Sequence, residues 1–170
     1  KENTTGVQNT VVGSSALAAS STANNCTAVG YDTLSVNTAN QNTALGSQAL
    51  KLNTTGDNNS AVGMNALVLN TTGASNTAVG VSALGANTTG IQNVAVGANA
   101  LDANTTADHN TALGAFAASG VTTGAGNTAV GRASLFTNST GSNNTAVGKD
   151  ALTANTTGGN NTAVGKDALL

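Results

Sequence analysis

The 170-residue chain has no proline and no tryptophan, a single cysteine, and only 7% charged and 2% aromatic residues. Each scarcity excludes something. One cysteine cannot build a disulfide framework within the chain. Lys1, Lys51, Arg132, Lys149 and Lys166 are scattered, so the basic stripe that marks a nucleic-acid-binding surface is missing. No apolar run approaches the roughly 20 residues needed for a membrane-spanning helix. The length would fit one globular domain. Yet a typical soluble protein carries about 25% charged residues, and here Ala, Val and Leu supply nearly all the apolar content. A thick core is therefore not expected. Disorder is not expected either, because the chain is 39% hydrophobic with a net charge of −2, whereas disordered segments combine high charge with few apolar residues.

What is present is a repeat. The unit N-T-A-[VL]-G-x-x-A-L-x-x-N-T-T-G-x-x begins again and again, as in Asn144 to Gly158. Its closing glycine falls at Gly13, Gly30, Gly46, Gly63, Gly80, Gly97, Gly114, Gly131, Gly148 and Gly165, every 17 residues except for one step of 16 between Gly30 and Gly46. The short step lies in Asn37-Thr-Ala-Asn-Gln41, which lacks one connector residue. A fixed short period is the signature of a solenoid or fibre. Residues 1–170 read as a single tandem-repeat array. The chain opens within a repeat, at Asn3-Thr-Thr-Gly6, and stops within one, at Ala168-Leu-Leu170. It is expected to be a segment of a longer fibrous protein, with any export signal outside it.

The first half of each repeat reads as strand. Asn-Thr-Ala-Val-Gly is short, partly β-branched and bounded by glycine, and Ala-Leu pairs such as Ala66-Leu67 suggest a second short strand. Alternation pairs Thr10 with Val12 on one side and Asn9 with Val11 on the other. Val is expected inward, beside a tightly packed Ala. Helix fails on spacing, since Gly and N-T-T interrupt every stretch before about 12 residues. The N-T-T-G connectors at Asn53, Asn70, Asn87 and Asn155 read as turns whose glycine takes positive φ. The expected fold is all-β: a parallel β-solenoid or β-roll of about ten 17-residue coils. Coils stacked about 4.8 Å apart would place Val on Val, Leu on Leu and Asn on Asn, giving amide ladders along a rod of roughly 48 Å. One coil offers only a few small apolar side chains, which is thin for a free-standing rod. Packing of an Ala face against other chains, most simply in a homotrimer, is therefore expected.

Departures from the repeat single out residues. Cys26 replaces the ladder Asn found at 9, 42, 59, 76, 93, 110, 127, 144 and 161; a buried substitute is the better account than a reactive thiol or an interchain bridge. In Gly114-Ala-Phe-Ala-Ala118, Ala stands where Leu is expected and Phe116 lies two residues earlier, which predicts local repacking. The two sites after each repeat glycine hold Tyr31-Asp32, Met64-Asn65, Val81-Ser82, Lys149-Asp150 and Lys166-Asp167. Such tolerance reads as outward-facing.

No catalytic residue, cofactor site or metal site emerges. His109 is the only histidine, in Ala107-Asp-His-Asn110, and reads as a solvated turn residue rather than part of a Ser-His-Asp arrangement. Asp150 and Asp167 are one repeat apart, beside Lys149 and Lys166, and read as a surface charge ladder. The G-G-x-G-x-D pattern of calcium-binding β-rolls does not occur. Gly124-Ala-Gly-Asn-Thr-Ala129 formally matches a dinucleotide fingerprint but is only connector running into strand. N-x-[ST] sequons give possible glycosylation at Asn3, Asn25, Asn53, Asn58, Asn70, Asn87, Asn104, Asn138, Asn143, Asn155 and Asn160, although a repeat rich in Asn and Thr generates sequons by chance.

The unit seen in Cys26-Thr-Ala-Val-Gly30, Asn76-Thr-Ala-Val-Gly80 and Asn144-Thr-Ala-Val-Gly148 resembles the head repeats of trimeric autotransporter adhesins, roughly S-x-A-[IV]-G-x-x-[AS]. It is also similar to repeats in phage tail-fibre-like proteins with a C-terminal self-cleaving chaperone domain. The resemblance implies a left-handed parallel β-roll, three chains per head, and binding to host matrix or surfaces. The repeat here is longer than that family's, with the excess in N-T-T-G-x-x, and no family binding residue maps onto it. The expected function is a structural or adhesive fibre segment on a cell surface or virion, without catalysis, its partners being copies of itself and surface glycans or host matrix, not nucleic acid. The alternative is ice or carbohydrate binding on a flat Thr/Asn face, motivated by Thr54, Thr71, Thr88 and Thr105. An enzymatic role would need a domain beyond this segment.

Overall fold

The computed structural model describes residues 5–170. It is all-β, a solenoid in which each repeat is one coil and contributes one strand. The strands are β1 Thr10–Val12, β2 Thr27–Val29, β3 Thr43–Leu45, β4 Ser60–Val62, β5 Thr77–Val79, β6 Val94–Val96, β7 Thr111–Leu113, β8 Thr128–Val130, β9 Thr145–Val147 and β10 Thr162–Val164. They form one parallel sheet in sequence order. Register is exact to the repeat, with Thr77 opposite Val94, Ala78 opposite Ala95 and Val79 opposite Val96. The coil of 16 residues keeps it, since Thr27 still faces Thr43.

Coil-to-coil bonding does not stop at the strands. Leu67 N donates to Ala83 O at 3.0 Å, Thr54 N to Thr71 O at 2.9 Å and Ser75 N to Asp57 O at 3.0 Å. Within a coil, Ala66 N donates to Gly63 O and Asn70 N to Leu67 O, closing two tight turns. The Ala-Leu segment is thus turn rather than the expected second strand. Its leucines adopt left-handed backbone, with φ of +51° at Leu67, Leu84 and Leu101. That conformation costs an L-residue about 1–2 kcal/mol. Full burial of a leucine contributes about 1.5–3 kcal/mol, so the corner is tolerated because it delivers Leu to the interior. Leu84 and Leu101 are completely buried.

The interior of one coil is small. Asn76, Ala78, Ala83, Leu84 and Asn87 all have no exposed surface, while Thr77 and Val79 flank Ala78 on the outside. Alternation therefore pairs residues as the sequence implied, but the inward member is Ala, not Val. Asn76 decides the parity: its Nδ2 donates to Gly90 O at 2.8 Å and its Oδ1 accepts Asn93 N at 2.9 Å, both inside the coil. Both Ala columns also point inward, so the rod has no Ala face to offer another chain.

The turn glycines and the altered coil both differ from the expectation. In N-T-T-G the glycine does not take positive φ; the residue just before the ladder Asn does, as at Asn58, Ser75 and Gln92. The glycine that closes each strand has φ of +125° to +137°. A Cβ on Gly97 would also lie 2.5 Å from the carbonyl of Gly114 in the next coil. In the coil after β7, Phe116 stays outside at 39% exposure instead of filling the space left by Ala118. There Val121 replaces the connector Asn and is fully buried.

That replacement breaks a ladder. Asn53, Asn70, Asn87 and Asn104 each donate Nδ2 to the Oδ1 of the asparagine one coil earlier, at 2.7–2.9 Å. Val121 has no amide to give, and Asn104 Oδ1 is left buried without a partner. The ladder resumes with Asn155 donating to Asn138 at 2.8 Å.

Val121→Asn supplies the missing donor and is expected to raise stability in urea unfolding by about 1 kcal/mol; a lower midpoint would refute the ladder account. Gly165 shares the backbone conformation of Gly97 (φ +126°) but has no neighbour nearer than 4.0 Å to an added Cβ. Gly165→Ala should cost only backbone strain, about 1–3 kcal/mol. Gly97→Ala should cost about a further 1–3 kcal/mol from the clash. Equal losses would show that inter-coil contact is unimportant.

Candidate functional surface

With the interior occupied by Asn, Ala and Leu, chemistry is left to the outward columns. The flat strand face carries two. One is Thr, replaced by Ser60 in β4 and Val94 in β6. The other is Val or Leu, among which Leu45, Val79, Val96 and Leu113 are 37–47% exposed. No strand contains a charged residue. A third column is the first Thr of N-T-T. The hydroxyl of Thr54 donates to Thr71 O, that of Thr71 to Thr88 O and that of Thr88 to Thr105 O, at 2.9–3.0 Å. Their donors are thus committed to the neighbouring coil, and the hydroxyls are fixed in one orientation.

Charges sit at the corners. Lys51 Nζ reaches Asp32 Oδ2 at 2.7 Å in the neighbouring coil. Lys149 and Asp150 pair at 2.8 Å, and Lys166 and Asp167 at 3.0 Å, forming the charge ladder read from the sequence. Its lysines are more than half exposed, so each pair adds little stability. Lys149 holds the Asp150 carboxyl below its usual range. Of the two sites after the repeat glycine, the first is exposed, as at Tyr31, Met64 and Val81, but the second is half-buried and left-handed, as at Asp32 and Asn65.

The sequence-derived candidates separate by depth. His109 is exposed, with Nε2 2.7 Å from Gln92 Oε1 one coil away. Its neighbour Asp108 accepts Ile91 N at 2.7 Å, holding two coils together rather than orienting an imidazole. Among the described residues no three of His, Cys, Asp and Glu converge as metal ligands, and no helix is long and apolar enough to cross a membrane. Asn53, Asn70, Asn87, Asn104 and Asn138 are fully buried with their amide nitrogens hydrogen-bonded, so a glycan there would have to open the coil. Asn155 is part-buried in the same column. Asn25, Asn58, Asn143 and Asn160 are exposed at the left-handed position. Asn3 lies outside the described residues.

One further feature was not legible as a site. Phe116, Arg132, Ala133, Phe136, Asp150 and Thr153 line a cleft of about 380 Å³ across three coils. The only sequence signal was Phe116 in its irregular repeat.

Cys26 occupies the Asn column at 1% exposure, where its backbone N–H still bonds Asn9 Oδ1 at 2.9 Å. Burial pushes its thiol pKa up. Native protein at neutral pH is therefore expected to react with a maleimide at least about a hundredfold more slowly than unfolded chain; equal rates would place the thiol on the surface.

Comparison with protein-family models, with curated proteins and with solved structures finds no match to this chain.

Proposed function

We propose that the chain is a structural, adhesive fibre segment working outside the cell, without catalysis, and that it self-associates through its strand face. The observation that carries this reading is the uncharged Thr and Val/Leu face repeated along ten strands. An extended apolar stripe on a soluble surface marks an interaction site. Because the Ala columns are internal, the strand face replaces them as the surface by which chains pack, and a homotrimer about the long axis remains the simplest arrangement. The likeness of the repeat to adhesin heads supports the same direction: a rigid, uniform rod that sets a distance and offers many equivalent contacts. Surface glycans or host matrix are the proposed targets of such a rod.

Native mass spectrometry of the intact chain is expected to give a trimer mass. The triple substitution Val79→Lys, Val96→Lys, Leu113→Lys puts three charges on the proposed contact and should shift the population to single chains. A wild-type protein that stays monomeric at all concentrations would sink the reading.

A second reading is favoured by the pinned Thr54–Thr71–Thr88 hydroxyls. A rigid array at the coil spacing of about 4.8 Å is suited to ordering water, as an ice-binding surface must. Thermal hysteresis that is lost on replacing Thr71 and Thr88 by Lys would establish it; no hysteresis would remove it.

A further inference from the structure

The cleft at the eighth coil interrupts an otherwise periodic surface, and its construction can be read column by column. The second site after the repeat glycine holds Phe116, Ala133 and Asp150 in three successive coils. Elsewhere that column carries Asp32, Gln48, Asn65, Ser82 and Asn99, all larger than alanine. Ala133, only 9% exposed, is therefore a floor sunk between Phe116 on one side and Asp150 on the other. The site following the core leucine supplies the remaining wall, with Phe136 and Thr153 in adjacent coils. The hydroxyl of Thr153 is tied to the backbone carbonyl of Asp150, which fixes the two walls together.

The contents of the cleft are not what chance distribution would place there. The chain has two phenylalanines and one arginine, and all three line it. Phe116 and Phe136 are 39% and 38% exposed, so each leaves apolar ring surface uncovered. Arg132 Nη1 lies 3.9 Å from Asp150 Oδ1, near enough for one bound molecule to bridge them. The other Asp150 oxygen is held by Lys149 at 2.8 Å.

We propose that this cleft binds a neutral sugar ring, one pyranose unit of a saccharide. Its C–H face would cover the phenylalanine rings, and adjacent hydroxyls would donate to Asp150 and accept from Arg132. The volume of about 380 Å³ falls in the range of small-molecule sites. Other ligand classes fit worse. An anion meets the Asp150 carboxylate, and a cation meets Arg132 and Lys149. A wholly apolar ligand strips water from an ionised pair and returns no hydrogen bond. A polyol with an apolar face satisfies both halves of the cleft. None of the six residues belongs to a strand, so the site stands independently of the fibre reading.

The test is saturation-transfer NMR of the intact chain with methyl pyranosides of glucose, galactose, mannose and N-acetylglucosamine, followed by titration of the binders. At least one is expected to receive saturation. Ala133→Gln fills the floor with a side chain that Gln48 already carries in the same column and the same left-handed region (φ +61° against +51° at Ala133), so the coil should persist by circular dichroism while binding disappears. Phe136→Ala, on an exposed ring, should weaken binding about threefold to tenfold. The strand-face triple lysine variant should bind unchanged, which separates failure of this site from failure of the fibre. No saturation of any sugar at millimolar concentration overturns the proposal, and so does binding that survives Ala133→Gln.

Discussion

Stacking parallel coils at about 4.8 Å brings each interior asparagine within reach of its copy one coil away, and both asparagine columns use that reach. In the connector column the amide of Asn70 bonds the amide of Asn53 and that of Asn87 bonds Asn70. In the column before the strand, Asn76 Oδ1 accepts the backbone N–H of Asn93, while its Nδ2 crosses the coil to Gly90 O. A carboxamide carries donor and acceptor together, so an infinite column satisfies itself. The two amide hydrogens reach both the neighbouring amide and a connector carbonyl, as Asn70 Nδ2 does with Asn53 Oδ1 and Gly73 O, whereas a hydroxyl has one hydrogen to donate and a carboxylate or apolar side chain has none. These bonds cross the lumen and tie strand to connector, which lets a coil with one Leu and two Ala remain closed. Burying two amides per coil would be costly if any went unpaired, and among the described residues only Asp102 and Asn104 each leave one buried side-chain oxygen unpaired.

The same constraint dictates the surface. Inward Asn76 forces inward Ala78, and that parity turns Thr77 and Val79 outward. The outer face of the sheet is therefore a by-product of how the lumen is filled, and it is uniform because the lumen is uniform. Among the described residues no charge lies on a strand, and Asp32, Asp150 and Asp167 lie at left-handed corner sites that alternation does not govern.

Where the lumen changes, so does the surface. Between β7 and β9 the core loses a leucine at Ala118 and an amide at Val121. In the same stretch both phenylalanines and the arginine appear on the outside. Asn104 Oδ1 loses its partner at Val121, within this stretch, and the cleft lies there as well.

The period, the in-register parallel stacking, the pairing of residues on each strand face and the burial of Cys26 were all determined by the sequence alone, because identical residues at a fixed interval can stack only on one another. Which face turned inward was not. Ala and Val both suit a strand interior, and the choice rests on Asn76 finding Gly90 O across the coil, a contact between residues 14 apart. The left-handed corners at Leu67 and Leu84 were equally hidden, since leucine has no local preference for positive φ and the cost is offset by burial that only the stacked coil provides. The cleft was decided last of all: Phe116, Ala133 and Asp150 are 17 residues apart in the chain and become neighbours only when the coils are stacked.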